Sequence, residues 1–194
     1  MDEMTASILL KGRPGSGKTT LVVALAEALA RGGWRVCGFV TEEIREGGSR
    51  IGFRVRDFDG AEAVLSHVSY RGMPRVGRYG VDVAAFESVA LPALEEGRRH
   101  ADLLVVDEVG RMETISAAFR ELFMDLAEGE TPLLATIPCR GDPYILALLE
   151  IPGVDVFEVT AKNRCALGEV IEGRLKDVLS ARKFSGELEG GIRS

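Results

Sequence analysis

The chain has 194 residues and a formal net charge of -6, a length that suits one domain able to bury about 70% of the surface of its unfolded chain. The acidic balance argues against a broad nucleic-acid-binding surface, because such surfaces neutralise phosphates with Lys and Arg. No apolar run approaches the roughly 20 residues of a membrane span. The three cysteines, Cys37, Cys139 and Cys165, form neither a metal-ligand pair nor an even disulfide set. We therefore expect free thiols and a cytoplasmic location.

Residues 12–19 fit the phosphate-loop pattern of Gly, four residues, Gly, Lys and Ser or Thr. The apolar run at 8–10 is typical of a buried parallel strand, and apolar residues at helical spacing follow at 21–29. The loop therefore joins a strand to a helix, whose N-terminal amides and dipole favour anions. The residues predicted to bind nucleotide here are Gly12, Arg13, Pro14, Gly15, Ser16, Gly17, Lys18, Thr19 and Thr20.

Two side chains of this loop have separate predicted tasks. Lys18 can reach the β- and γ-phosphates as a point charge, and Thr19 can offer its hydroxyl to a magnesium ion. Nucleoside triphosphates are therefore the predicted ligands, and Mg²⁺ is the predicted cofactor.

Glycines at 32–33 are expected to end the first helix, after which the pattern changes to the alternation that is typical of strands. The first two predicted strands form an antiparallel hairpin with Gly47-Gly48 at its turn, and a third, weaker strand can extend it into a meander. The three predicted strands are 36–43, 51–56 and 62–67. The hairpin or meander is predicted to be an insertion at about 35–68. Residues 69–80, which are rich in Gly and Pro, are predicted to be an irregular loop.

Helices and strands alternate through the second half of the chain. Asp82 is the expected N-cap of a helix to about Arg99, which Pro92 bends or divides in two. Thr114 is the expected cap of an amphipathic helix over 115–126. The other predicted elements are strands at 101–107, 133–137 and 154–160, helices at 144–150 and 167–179, and a flexible tail at 185–194.

This alternation predicts an α/β fold, in which a mainly parallel sheet is covered by helices on both faces to give a three-layer sandwich. No internal repeat, low-complexity block or linker divides the chain. Residues 1–184 are therefore predicted to form one domain.

The strand predicted at 101–107 ends in two adjacent carboxylates, Asp107 and Glu108. In an open α/β sheet, ligands bind beyond the carboxyl ends of the strands, so Asp107 is expected beside Thr19 as a second Mg²⁺-holding group. Glu108 can then orient and polarise a water molecule for in-line attack on the γ-phosphate. The pair therefore indicates hydrolysis of a phosphoanhydride.

Further side chains follow strands whose ends are predicted to lie at the site. Thr136 either senses the γ-phosphate and the attacking water or is a β-branched core residue. Arg111, Arg140 and Arg164 are candidates to stabilise charge in the transition state, although surface arginine is the competing interpretation for each. Glu42 and Glu43 can touch Mg²⁺ or a base, or lie in a solvated turn.

The chain also resembles a known family, the small nucleoside-triphosphatases of archaea, thermophilic bacteria and eukaryotes that are often called cancer-related nucleoside-triphosphatases. The resemblance covers roughly residues 6–180 and rests on six blocks in order: 12–20; 38–43 with 52–54; 80–83 with 86–87; 105–113; 135–138; and Thr160 with 163–164. The segment after Asp107 usually has Lys where this chain has Arg111, which keeps the charge but not the compact ammonium group.

The resemblance implies a RecA-like or AAA-like P-loop NTPase fold. It also implies Mg²⁺-dependent hydrolysis of ATP, GTP, CTP and UTP or TTP with little base preference. Glu108 is then the catalytic base and Asp107 the metal-side carboxylate.

Two other functions stay open from the sequence. A P-loop kinase would pass the γ-phosphoryl group to a nucleotide or metabolite bound between the hairpin and the 69–80 loop. A nucleotide-dependent switch or assembly module would use slow hydrolysis to time partner binding. No Asn-Lys-x-Asp motif of the kind that reads guanine is present, and the sequence leaves the oligomeric state open.

Overall fold

The computed structural model describes residues 7–140 and 142–190, with side chains to residue 184. The strands are β1 Ser7–Gly12, β2 Val36–Glu46, β3 Ser49–Asp57, β4 Glu62–His67, β5 Arg75–Val76, β6 Tyr79–Val81, β7 Leu103–Asp107, β8 Leu133–Pro138 and β9 Val154–Glu158. The helices are α1 Lys18–Arg31, α2 Val83–His100, α3 Ala117–Glu128, α4 Pro143–Leu149 and α5 Arg164–Gly190.

The nine strands of the described residues lie in one sheet, in the order β5-β6-β4-β3-β2-β7-β8-β1-β9. The five strands from β2 to β9 in that order pair in parallel, and β3, β4, β6 and β5 extend the sheet with antiparallel pairs. The predicted α/β architecture with a mainly parallel sheet and an antiparallel meander is confirmed. Strand β8 separates the strand that leads into the phosphate loop from the strand that ends in Asp107, so both ends meet at one edge of the sheet.

Helices cover both faces of the sheet, because successive strand residues point to opposite sides. Leu9 and Leu104 pack under α2, α3 and α4, where Phe39, Phe86 and Phe119 meet edge to face with ring centroids 5.3–5.8 Å apart. The neighbouring strand residues Leu10 and Leu103 point to the other face. They pack under α1 and α5 among leucines 21, 25 and 175. The result is the predicted three-layer arrangement.

The antiparallel extension differs from the predicted insertion at 35–68. Strand β2 pairs in parallel with β7 over residues 36–40 and antiparallel with β3 over residues 39–46, so it belongs to both parts of the sheet. The additional strands therefore lie within residues 49–81. The predicted irregular loop at 69–80 contains the short strands β5 and β6, which are joined by a turn with Gly77 at φ +59°. The segment is rich in Gly and Pro, and β5 and β6 pair over only two residues each. The sequence pattern therefore did not predict these strands.

Two helix boundaries depend on side-chain caps. Asp82 accepts a hydrogen bond from the Ala85 amide, as predicted for the start of α2. Of the two outcomes predicted for Pro92, a bend or a division, the division is wrong and the bend stays a prediction. Helix α2 is continuous, with Pro92 on its exposed face, where the missing N–H removes a single backbone hydrogen bond. The predicted cap at Thr114 is also wrong, because Ser116 accepts from the Phe119 amide and starts α3.

Residues 113–115 form a 3-10 turn before α3. This turn delays the start of the helix past Thr114, whose hydroxyl donates instead to the Gly110 carbonyl at 2.8 Å. The turn thus joins α3 to the segment that follows the Asp107 strand.

Helix α5 extends to Gly190, and the end of the predicted flexible tail, residues 191–194, lies outside the described residues. Flexibility of the 185–194 segment stays a prediction. Within residues 7–140 and 142–190, no helix combines the length and apolar composition that crossing a bilayer requires.

Candidate active site

The phosphate loop joins β1 to α1, as its sequence predicts. Gly15 and Gly17 have φ values of +77° and +95°, which side chains disfavour, so glycine is needed at both positions. Lys18 is buried, and its Nζ donates to the Gly12 carbonyl at 3.0 Å, which places the ammonium group within the loop. The Ser16 hydroxyl oxygen is also buried, and it has no hydrogen-bond partner within the described residues.

Asp107 lies at the end of β7 and is 1% exposed. The fully buried Thr136 on the neighbouring strand β8 donates its hydroxyl to Asp107 Oδ1 at 2.5 Å. Asp107 Oδ2 is buried and lacks a hydrogen-bond partner within the described part of the chain. One carboxylate oxygen is therefore oriented by Thr136, and the other is available to a ligand.

Burial raises the pKa of both Asp107 and Glu108, because a carboxylate loses hydration in this site. The positive charge of Lys18 acts in the opposite direction on both groups, and the Thr136 and Thr19 hydroxyls also lower the pKa of Asp107. A cation bound next to Asp107 would also lower the pKa of these carboxyl groups, as the positive charge of Lys18 does.

These residues fit a magnesium ion better than a closed metal site. Within the described residues, no group of three or more His, Cys, Asp and Glu side chains could hold a metal. Mg²⁺ commonly binds through one or two protein oxygens, the substrate phosphates and its own waters. The Thr19 hydroxyl and the Asp107 Oδ2 that lacks a partner match that donor set.

Glu108 begins the segment after β7 and is half-buried. It makes no hydrogen bond to any described residue, although the charges of Lys18 and Asp107 act on it. The backbone around it is fixed, because the Val109 amide donates to the Thr136 carbonyl at 2.9 Å. The carboxylate is thus held beside the phosphate loop and available to a water molecule.

Glu113 is a buried carboxyl group that the sequence reasoning missed. It is 6% exposed, and its Oε2 accepts from the Gly110 amide at 3.1 Å. Burial, reinforced by the charges of Glu108 and Asp107, raises its pKa to about 8. The chain offers little local signal for this residue, because its burial depends on the packing of the 3-10 turn against α2 and α3.

Of the three candidate arginines, Arg164 lies on the phosphate loop. Its Cδ is 2.6 Å from the point that a Cβ on Gly17 would occupy, so the absence of a side chain at Gly17 makes room for it. Asn163 fixes the start of α5, since its side chain accepts from the Thr160 amide at 2.8 Å and donates to the Glu158 carbonyl. Arg111 and Arg140 are exposed and make no hydrogen bond or ion pair with described residues.

Glu42 and Glu43 lie farther out along the hairpin, because Val40 is the β2 residue level with Asp107. Glu42 pairs with Arg56 at 2.7 Å, and Glu43 pairs with Arg45 and Arg50 at 2.7 and 2.6 Å. Both carboxylates therefore have arginine partners on the hairpin.

Comparison with known proteins agrees with this geometry. A family model described as NTPase matches residues 7–171. The nucleoside-triphosphatase THEP1 of Thermotoga petrophila is 40% identical over 178 residues, which is 92% of this chain and 93% of that protein. The cancer-related nucleoside-triphosphatase homolog of Bos taurus is 42% identical over 176 residues, or 83% of this chain and 92% of that protein.

A solved structure extends the similarity to the fold. The crystal structure of THEP1 from the hyperthermophile Aquifex aeolicus matches with a TM-score of 0.78 and 36% sequence identity, covering 85% of this chain and 96% of that chain. The resemblance read from the sequence blocks is confirmed, and so is the P-loop NTPase fold that it implied. The chain therefore belongs to the NTPase family and is an enzyme of the nucleoside-triphosphatase type.

Proposed function

We propose that the enzyme hydrolyses the β–γ phosphoanhydride bond of ATP, GTP, CTP and UTP in a Mg²⁺-dependent reaction with little base selectivity. The observation that carries the proposal is the meeting of a phosphate loop with two carboxylates of different surroundings, the buried Asp107 and the half-buried Glu108. Asp107 is oriented by Thr136, and Glu108 makes no hydrogen bond within the described residues. These different surroundings suit Asp107 to binding the metal ion and Glu108 to positioning the water molecule.

The loop supplies the binding of the phosphates. Its backbone amides and the N-terminus of α1 favour anionic oxygens. The Lys18 ammonium, held at the Gly12 carbonyl, is placed to move onto the β- and γ-phosphate oxygens. The buried Ser16 hydroxyl is a further donor for the same phosphates.

Thr19 and Asp107 would hold Mg²⁺ against the phosphates. When bound, the ion neutralises charge on the β- and γ-oxygens and helps align the triphosphate. Thr136 acts as a positioning residue, because its hydroxyl fixes one Asp107 oxygen and leaves Oδ2 for the metal side.

Glu108 is the proposed general base. It would accept a hydrogen bond from the attacking water and hold the oxygen in line with the bond to be broken. Burial raises the pKa of Glu108, which brings a carboxylate closer to the basicity that proton transfer near neutral pH requires. The positive charge of Lys18 acts in the opposite direction and limits this rise in pKa.

Arg164 is proposed to act on the nucleotide from the α5 side, because its side chain lies over Gly17. Arg111 lies in the segment after Glu108 and is exposed. A role for Arg111 in the transition state would require it to turn toward the phosphates. We therefore propose Arg164 as the main arginine at the nucleotide, with Arg111 as an additional group that stabilises charge in the transition state.

The proposal also includes a reducing compartment. Cys37, Cys139 and Cys165 are free thiols, at buried, half-buried and exposed positions. Three unpaired cysteines are consistent with the cytoplasmic location expected from their scattered positions.

Product analysis in ¹⁸O-labelled water tests the reaction. With Mg²⁺ and each of the four nucleotides, we expect a nucleoside diphosphate and inorganic phosphate, with the label in the phosphate alone. The four kcat/KM values should agree within about tenfold, as the proposed lack of base selectivity requires. Release of pyrophosphate, or phosphate transfer to a co-substrate faster than to water, would contradict hydrolysis at this bond.

A further inference from the structure

A groove between α1 and α5 opens beside the phosphate loop. It has a volume of about 290 Å³, and α1 contributes Thr20, Leu21 and Ala24 to its lining. Arg164, Cys165 and Gly168 line the opposite side, at the start of α5. The proposed hydrolysis of the β–γ bond uses none of this space beyond Arg164.

The sheet order decides which end of a nucleotide faces this groove. Strands β7 and β8, with Asp107 and Thr136, lie on one side of β1, and β9, which leads into α5, lies on the other. The γ-phosphate must face Glu108 for water attack, so the α-phosphate and the nucleoside leave toward β9 and α5. Thr20 follows the loop directly, and Arg164 bridges from the groove to Gly17.

The lining suits a flat aromatic ring. Leu21 is buried and Ala24 is exposed, so apolar surface forms the α1 side of the groove. The Arg164 guanidinium at its entrance can stack on a base, an interaction that every base offers through its π-face. Glu169 and Glu172 complete the lining from α5, and Glu172 pairs with Lys176 at 2.6 Å.

We propose that this groove is the nucleobase site and that it holds the base by apolar contact and stacking on Arg164, without reading the base edge. The inference rests on the proposed function, because the direction of the nucleotide follows from hydrolysis at Glu108. It assigns the groove to any purine or pyrimidine nucleoside triphosphate. Broad substrate use then follows from a site that contacts the face of the ring.

Gly168 provides a direct way to fill the groove. A Cβ at this position would lie 3.1 Å from Leu21 Cδ1, so a larger side chain must enter the groove or displace Leu21. Gly173, five residues along the same helix, has open space around the corresponding point. Gly168→Leu and Gly173→Leu therefore form a matched pair, since each replaces a glycine within α5 by the same good helix former.

Calorimetric binding of ATP and of inorganic tripolyphosphate, with Mg²⁺, separates the base from the phosphates. We expect Gly168→Leu to weaken binding of ATP, GTP, CTP and UTP by at least about tenfold while tripolyphosphate affinity stays within about twofold of the parent. Gly173→Leu should bind all five ligands like the parent. Parent-like ATP binding by Gly168→Leu, or an equal loss of tripolyphosphate binding, would overturn the assignment.

Cys165 gives a second readout in the unaltered protein. Its thiol is exposed and lines the groove, so bound ATP should slow its alkylation about tenfold or more, while tripolyphosphate should leave the rate unchanged. Mass spectrometry of the peptide that contains Cys165 distinguishes it from Cys37 and Cys139. An alkylation rate that ATP does not change, in an enzyme that hydrolyses ATP, overturns the groove and leaves the proposed function standing. An enzyme that neither binds tripolyphosphate nor releases phosphate overturns both.

Discussion

Replacing Glu113 by Gln should change how the stability of the enzyme depends on pH. The folded protein raises the pKa of Glu113 from 4.5 to about 8, chiefly because the carboxyl group is buried. Between these values the folded state keeps a proton that the unfolded chain releases. The free energy of unfolding therefore falls as pH rises from about 4.5 to 8, by up to about 1.4 kcal/mol per pH unit.

The Gln side chain keeps the shape of the neutral acid and an oxygen that can accept from the Gly110 amide, but it does not titrate. The variant should match the parent near pH 4.5 and become more stable than the parent as pH rises. By pH 8 the difference reaches an upper limit of about 5 kcal/mol, which is comparable with the total stability of many domains.

Urea unfolding of parent and Glu113→Gln at half-unit steps from pH 4.5 to 8.5, with EDTA and without nucleotide, measures this difference. Subtracting the two curves at each pH removes the contributions of titrating groups that do not interact with Glu113, whereas Asp107 and Glu108, whose charges act on Glu113, contribute through that coupling. A difference that is constant across the range would refute the reasoning, because it would mean that Glu113 has the same pKa in both states. Equal m-values for the parent and the variant would establish that both proteins expose a similar surface area on unfolding.

Three other substitutions test separate contacts of the site and the fold. Thr136→Val removes the hydroxyl that orients Asp107, so the Mg²⁺ concentration for half-maximal phosphate release should rise at least about tenfold; an unchanged titration would contradict the positioning role. Gly17→Ala places a Cβ against Arg164 at a φ of +95°, and we expect a loss of about 1–3 kcal/mol of stability and weaker tripolyphosphate binding by calorimetry; parent-like values of both would show that the loop tolerates a side chain. Ser116→Ala removes the N-cap of α3 and should lower the free energy of unfolding by about 1 kcal/mol in urea with unchanged kcat; a large loss of kcat would mean that the cap also shapes the site.

Local spacing was sufficient to predict the binding loop and the acidic strand end. A phosphate loop binds mainly through its own backbone, so residues 12–19 carry the signal within eight positions. Asp107 could be placed beside the loop because parallel strands end at a common edge of the sheet. The predicted Asp82 cap and the glycines at 32–33, where Gly33 has φ +86°, were confirmed for the same local reason.

Contacts between distant segments could not be read in the same way. Thr136 was left between two interpretations, and only the order of β8 and β7 shows that its hydroxyl meets Asp107. Arg164 was one of three candidate arginines and was predicted to bind nucleotide, but only the packing of α5 shows that it lies over Gly17. Glu113 carries no pattern that distinguishes a buried acid from an exposed one, since its burial comes from packing against helices elsewhere in the chain.

The central claim is that Glu108 positions the attacking water, and Glu108→Gln tests it most directly. Phosphate release from saturating Mg²⁺-ATP is compared with calorimetric ATP binding in the parent, in Glu108→Gln and in Glu62→Gln, an exposed glutamate paired with Arg54 that serves as the control. We expect Glu108→Gln to bind ATP within about threefold of the parent and to lose at least about 100-fold in kcat, while Glu62→Gln keeps the parent kcat. A Glu108→Gln enzyme that releases phosphate at the parent rate would contradict the claim.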